Sequence, residues 1–174
     1  MNTHAGVGPG TCDTEGIYPF VGLPVRLGFP SCADFEVIHD EHGTPSGVAA
    51  LRDFRRASRM CRVSGQLLPY RCRQTLQMLE GIHVYDPRFC GVLEHACDPN
   101  AFLDMSELWL WAVRDVLGGE RLTIDYAATE DKLLKQFACD CGSARCRGWI
   151  TGNNEPPDSE GRQFLQHWRA RCLR

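Results

Sequence analysis

Long apolar runs are missing from this chain of 174 residues. No window holds eighteen uncharged apolar residues, so nothing has the length of a membrane-spanning helix. The opening "MNTHAGVGPGTCDTEG" lacks a basic head followed by an apolar stretch, which argues against a secretory signal. Positive charge is not in excess either. The net charge is −3, which gives no support for a nucleic-acid partner. Only Lys132 and Lys135 supply lysine. Helical periodicity is scarce until the last dozen residues, and many short strands with little helix exclude a doubly wound nucleotide-binding fold. Length alone gives one domain, with a small appendage at most.

Cysteine, by contrast, is plentiful. There are ten, and Cys139, Cys141 and Cys146 fall within the eight residues of "CDCGSARC". With no signal peptide, reduced thiols around a metal are the better reading than a disulfide framework, and a reducing, cytoplasmic compartment is expected. A closed zinc site takes four ligands with sulfur about 2.3 Å away, so a distant residue must fold back onto the three. Cys90, Cys97, Cys172 and His95 are the candidates, and spacing does not choose among them. Charge is unevenly spread: residues 51–80 hold seven arginines and two acids, residues 81–131 ten acids and three arginines. The acidic block is either a solvated face or a field that steers a basic substrate inward.

Residues 1–31 are rich in Gly and Pro and read as a loosely ordered lead-in. "FEVI" and "VAALRDF" read as strands around the turn "HGTPSG", followed by two short extended pieces around Ser64-Gly65. "CRQTLQMLEGIHVYD" could open as a helical turn, but Gly81 and the β-branched residues after it favour strand. "LWLWAV", the Gly118-Gly119 turn and "RLTIDY" read as strand, turn and strand. "ATEDKLLKQF" could be helical. After the linker "TGNNEPPDSEG", Phe164, Leu165, Trp168, Cys172 and Leu173 recur at helical spacing and predict a terminal amphipathic helix.

Three segments carry chemistry. "LEHACDPNAFLD" sets His95 and Cys97 just before a turn built on Asp98, Pro99 and Asn100. "GGERLTIDY" ends a strand at Asp125-Tyr126, and "CDCGSARCRGW" is the cysteine cluster. Each is weak alone. In this order, "HACDPN" resembles the N-H-S-C-D-P-N element of SET-domain methyltransferases, and "AVRDVLGGERLTIDY" resembles their A-x-R-D-I-x-x-G-E-E-L-T-x-D-Y. "CDCGSARCRGW" is similar to their post-SET motif, and "SGVAALRDF" to their G-x-G-[VLI]-x-A entry. Together these cover residues 45–150.

The resemblance implies a mostly β (α+β) SET fold of small curved sheets. In it, the segments around His95 and Tyr126 meet in a pseudoknot. It implies a lead-in over 1–32, a SET domain over 33–131, a post-SET zinc segment over 132–152, and a linker and helix over 153–174. Cys97 becomes the fourth ligand of one structural Zn²⁺, with Cys139, Cys141 and Cys146. The activity implied is methyl transfer from S-adenosylmethionine, leaving S-adenosylhomocysteine, to the amine of a lysine in a protein or peptide. Neither nucleic acid nor membrane is expected as a partner. Gly47 and Val48 would hold the methionine portion of the cofactor and Glu94 and His95 the adenine. Trp149 and Ile150 would cover the adenine, and Tyr126 would be catalytic beside Ile124 in the substrate channel. A short stand-alone chain looks like bacterial members of the family.

Departures from the pattern keep other readings open. Glu94 replaces the usual Asn, Gly91 the Arg that opens the element, and Val63 a common Tyr. Only Gly47 survives of the Gly pair, and Ile124 stands where Phe or Tyr is usual. An inactive SET-fold zinc module that binds a partner is one alternative. A methyltransferase for a free amino acid or small amine is another.

Overall fold

The structure is a computed structural model that describes residues 15–172. Residues 1–14, with the start of the expected lead-in, lie outside the described residues, as does Leu173 of the expected helix. The rest of the lead-in is built into the body. Gly16 bridges to Ser31, the amide of Ile17 donates to Pro30, and Tyr18 is buried with its hydroxyl on Asp86 at 2.7 Å. That pairing lays residues 15–17 along residues 30–32, and Cys32 is disulfide-bonded. The expectation of reduced thiols fails at Cys32; seven other described cysteines are free.

The alternating apolar residues fold into short strands, as the sequence predicts. β1 (Phe35–His39) pairs antiparallel with β2 (Pro45–Ala50), whose last four residues are all buried. β3 (Arg59–Arg62), β4 (Gln66–Leu68), β5 (Thr75–Leu79) and β6 (Ile82–Tyr85) follow. The β5–β6 hairpin turns at Gly81, whose φ of 74° suits a residue without Cβ. No helical turn opens this segment: a turn at residues 73 and 74 leads straight into β5. β7 (Glu94–His95), β8 (Ala101–Asp104), β9 (Trp109–Ala112) and β10 (Thr123–Ile124) complete the body. The sheets run β4-β6-β5 and β3-β9-β8, with β7 beside β10. The core between them packs Phe35 against Phe54 and Phe89, at ring separations of 5.2 and 5.0 Å, with Leu103, Leu110, Leu122 and Ile124.

Competition for backbone hydrogen bonds decides two stretches. "LWLWAV" and "RLTIDY" both hold strands, β9 and β10, but they do not pair with one another. Instead the Ala50 amide donates to Glu120, and those of Gly119 and Leu122 donate to Ala50 and Val48, so this stretch lies along β2. β10 then pairs parallel with β7, Ile124 opposite His95, and the two chemistry-bearing segments meet. "ATEDKLLKQF" is not a helix. After the short 3₁₀ turn Tyr126–Ala128, the Asp131 amide donates to the Gln77 side chain and the Leu133 amide to Glu155. Side chains from elsewhere have taken the donors that a helix would need.

The tail forms a two-stranded clip, β11 (Phe137–Ala138) with β12 (Trp149–Ile150), and then α1 (Ser159–Cys172). The Asp158 carboxylate accepts from the Gly161 amide at 2.8 Å, a side-chain cap that starts α1 at Ser159, five residues before Phe164 opens its apolar pattern. Phe164 packs on Trp149 at 5.5 Å, and the Trp168 ring lies over Gly148.

Candidate active site and metal centre

Asn100 holds the meeting of β7 and β10 together. Fully buried, it accepts from the Thr123 amide and donates to Arg121 O, both at 2.8 Å. The sequence reading saw in it only a turn former. The Ala96 amide adds a bond to Ile124 O.

Tyr126 leaves this junction with its hydroxyl donating to Leu93 O at 2.8 Å. Burial pushes its pKa up to about 12, and the carboxylates of Glu94 and Glu130 push the same way. The phenol is therefore a neutral donor across the physiological range. Burial lowers the pKa of His95 to about 4, against the pull of Asp125. Its ring is neutral, with Nδ1 facing the Tyr126 amide at 3.4 Å. The proton then sits on Nε2, 3.5 Å from the Cys97 sulfur. Phe137 closes edge-on against both rings, 5.8 Å from His95 and 6.0 Å from Tyr126. Sequence reasoning missed Phe137; its only signal is an aromatic two residues before the cysteine cluster.

Tyr126 and the buried Ile124 line a cavity of about 400 Å³, with Leu93 and Phe137. One wall is the segment 71–76 and the other the segment 129–135. Gly91 lies between them, and any Cβ there would collide with the backbone oxygens of Asp86 and Gln74. The arginine of the SET pattern has no room here, because the wall itself fills its place. Glu130 is buried beneath the cavity, accepts from the Gln77 amide at 2.7 Å, and faces Arg71 at 3.8 Å. Desolvation raises its pKa above the usual carboxylate range; the Gln77 bond and Arg71 oppose that rise.

Gly47 sits outside this cavity, under an ion pair. Arg121 Nε meets Glu94 Oε2 at 2.5 Å, and a Cβ on Gly47 would lie 2.7 Å from Arg121 Nη2 and 3.1 Å from Glu94 Oε2. Arg121 stands where the quoted SET pattern has its second Glu, as Glu94 stands for its Asn. Two replacements have produced one matched pair. Val48 is fully buried in the core. Trp149 and Ile150 are buried too, and the Trp149 indole is engaged by Gln136 at 3.0 Å and by Phe164 of α1.

The cysteine cluster chooses among its candidates. The sulfurs of Cys97, Cys139, Cys141 and Cys146 all lie within 4.8 Å of one another, and Cys97 is 3.9 Å from Cys139. Tetrahedral zinc with bonds of about 2.3 Å sets sulfurs about 3.8 Å apart, so four thiolates here fit the ion. Cys90 is instead buried in the core, His95 stays outside the group of four, and the side chain of Cys172 lies outside the described residues. The Arg147 and Gly148 amides point at the sulfurs of Cys97 and Cys146, at 3.3 and 3.4 Å. Arg145 pairs with Asp98 and Arg147 with Asp125, which fastens the tail beside Tyr126.

No family model matches the chain. It is 34% identical over 76 residues to "Methyltransferase flvH" of Aspergillus flavus, covering 42% of this chain and 41% of that protein. It is 34% identical over 83 residues to the H3 lysine-9 specific histone-lysine N-methyltransferase of Schizosaccharomyces pombe, covering 33% and 16%. Among solved structures, KRYPTONITE in complex with mCHG DNA and SAH aligns with a TM-score of 0.53. That alignment covers 66% of this chain and 28% of that one at 21% identity. The methyltransferase domain of human SETMAR gives 0.50 over 68% of this chain and 58% of that one at 17% identity.

The chain has the fold of SET domains.

The chain spans less than half the length of these two curated relatives. Within it, β7 and β10 are the meeting segments that the resemblance implied, and the clip β11–β12 carries the post-SET cysteines.

Proposed function

We propose that this SET domain transfers a methyl group from S-adenosylmethionine to the amine of a lysine in a protein or peptide. The observation that carries this reading is the Tyr126 hydroxyl, protonated and fixed on Leu93 O at the base of a cavity of about 400 Å³. The relatives' names and the SAH bound to KRYPTONITE support the same reading.

The cofactor, when bound, supplies a methyl group activated on a sulfonium. Glu94 and Arg121 beside Gly47 fit its amino-acid end. The carboxylate faces the ammonium and the guanidinium faces the carboxylate, in place of the family's Asn. Val48, the His95 backbone, Trp149 and Ile150 remain the proposed frame of the remainder, with Phe137 as the aromatic beside His95. A substrate lysine with pKa near 10.4 must first lose a proton, which costs about 4.6 kcal/mol at pH 7. The apolar cavity lowers that cost by disfavouring the ammonium. The Tyr126 hydroxyl and the Leu93 carbonyl then orient the neutral amine, so catalysis rests on positioning rather than on a strong base. Cys97, Cys139, Cys141 and Cys146 would hold a structural Zn²⁺ that keeps Phe137 in place.

Incubation with tritiated cofactor and a cell lysate tests the reading. Labelled protein bands that vanish with Tyr126→Phe are expected; label appearing only in free lysine or polyamines would move the substrate to small amines. One observation favours a second reading, an inactive binding module: Glu94 and Arg121 already satisfy one another over Gly47. Calorimetry showing no uptake of S-adenosylmethionine would put that reading first.

A further inference from the structure

The charged side chains that line the Tyr126 cavity do not match the acidic block of sequence from which they partly come. They are Arg71, Arg73 and Lys135 against Glu130 alone. Glu130 is buried and already committed to the Gln77 amide and Arg71. Its neighbour Asp131 does not line the cavity, and its oxygens accept from Gln77 and Asn154. Arg71 is occupied in turn, donating to the Gln77 side chain at 3.3 Å. That leaves Arg73 on one wall and Lys135 on the other. Both are exposed, and neither is in an ion pair among the described residues.

We propose that Arg73 and Lys135 make this cavity select lysines flanked by acidic residues. The proposal rests on the reading of the cavity as the lysine site. A lysine reaching Tyr126 carries its neighbours along the two walls, where two unpaired cations meet them. An Asp or Glu there gains an opposite charge, whereas an Arg or Lys adds a third cation to the rim. The selection lies in the walls and not in the chemistry, since Tyr126 and Ile124 contribute no charge. The acids of residues 81–131 do not reverse it, because Glu130 is the only one of the ten that lines the cavity and five others are held in ion pairs: Glu94 with Arg121, Asp98 with Arg145, Glu107 with Arg59, Glu120 with Arg114, Asp125 with Arg147.

The test uses fluorescein-labelled peptides with one central lysine flanked by Glu, Gln or Arg, bound to the full chain with S-adenosylhomocysteine present. Fluorescence polarisation should rank Glu over Gln over Arg. An exposed ion pair is worth a few-fold in affinity, so two give a gap of about tenfold between Glu and Gln. That gap should close at high salt. The double variant Arg73→Glu with Lys135→Glu should reverse the order, a gain for Arg-flanked peptides that no loss of fold produces. Arg73→Gln with Lys135→Gln should flatten it. Equal binding of the three peptides by the unaltered chain would overturn the proposal, and so would an order that survives charge reversal. Methyl incorporation into the same peptides keeps the two readings apart. Ranked binding without transfer fails the transferase reading alone; transfer with unranked binding fails the selectivity alone.

Discussion

Tyr126 does its proposed work as a protonated group. With its pKa raised by burial to about 12, the phenol keeps its proton well above the range where a substrate lysine titrates. The rate should therefore climb about tenfold per pH unit below the amine's pKa, with no downturn before pH 10. A pH profile of kcat/KM checks this. Tyr126→Phe should leave the fold intact, cost about 1 kcal/mol for the bond to Leu93, and reduce turnover about a hundredfold or more, with cofactor affinity kept. Ile124 has no hydroxyl to hold a water beside the amine. Mass spectrometry should find di- or trimethyl product, and Ile124→Tyr should shift it towards monomethyl. Arg121→Ala should weaken S-adenosylmethionine binding about tenfold in calorimetry. Binding of 5′-methylthioadenosine, which lacks the amino-acid end, should not change. Tyr126, Cys97 and the three tail cysteines could be found in the sequence because each sits in a short motif. Arg121 as a partner for Glu94 could not, because they lie 27 residues apart and meet only once β10 lies beside β7.

The elements hold together by contacts that sequence periodicity encodes only in part. β1, the β5–β6 hairpin and α1 were legible because alternation, a turn glycine and helical spacing are local signals. The meeting of β7 with β10 was legible only through the resemblance to a family, not through any local signal, and the unwound stretch after Tyr126 was not legible at all. Both depend on donors and acceptors supplied from far along the chain: Val48 and Ala50 in one case, Gln77 and Glu155 in the other. The docking of α1 is also a tertiary matter, and its test has an unusual sign. Gly161 lies in a helix, where Ala would ordinarily add about 1 kcal/mol of stability. Here a Cβ would strike the Trp149 indole, which Gln136 holds in place. Gly161→Ala should lower the thermal midpoint instead of raising it.

At the scale of the whole molecule, the acidic block of the sequence is met by arginines from several parts of the chain. An arginine-rich stretch and an acidic one would suggest a polarised surface, yet five acids of the second block pair with arginines drawn from four separate stretches of chain. Of that block only the buried Glu130 lines the cavity, so steering of a basic substrate has little to act through there. The four cysteines act at the same scale, since Cys97 and Cys139 are 42 residues apart. Chelation should release the tail, lowering cofactor affinity and thermal stability together; full affinity after chelation would disconnect the metal from the cofactor site. The position of Cys97 also sets an order of assembly. Its thiol is in place only after β7 has found β10, so the fourth ligand is offered by a finished core. The tail thus acts as a late latch: metal capture, seating of Phe137 and docking of α1 must follow closure of the body. A refolding experiment should then see the core signal return at one rate with or without zinc, and the Trp149 signal only with it.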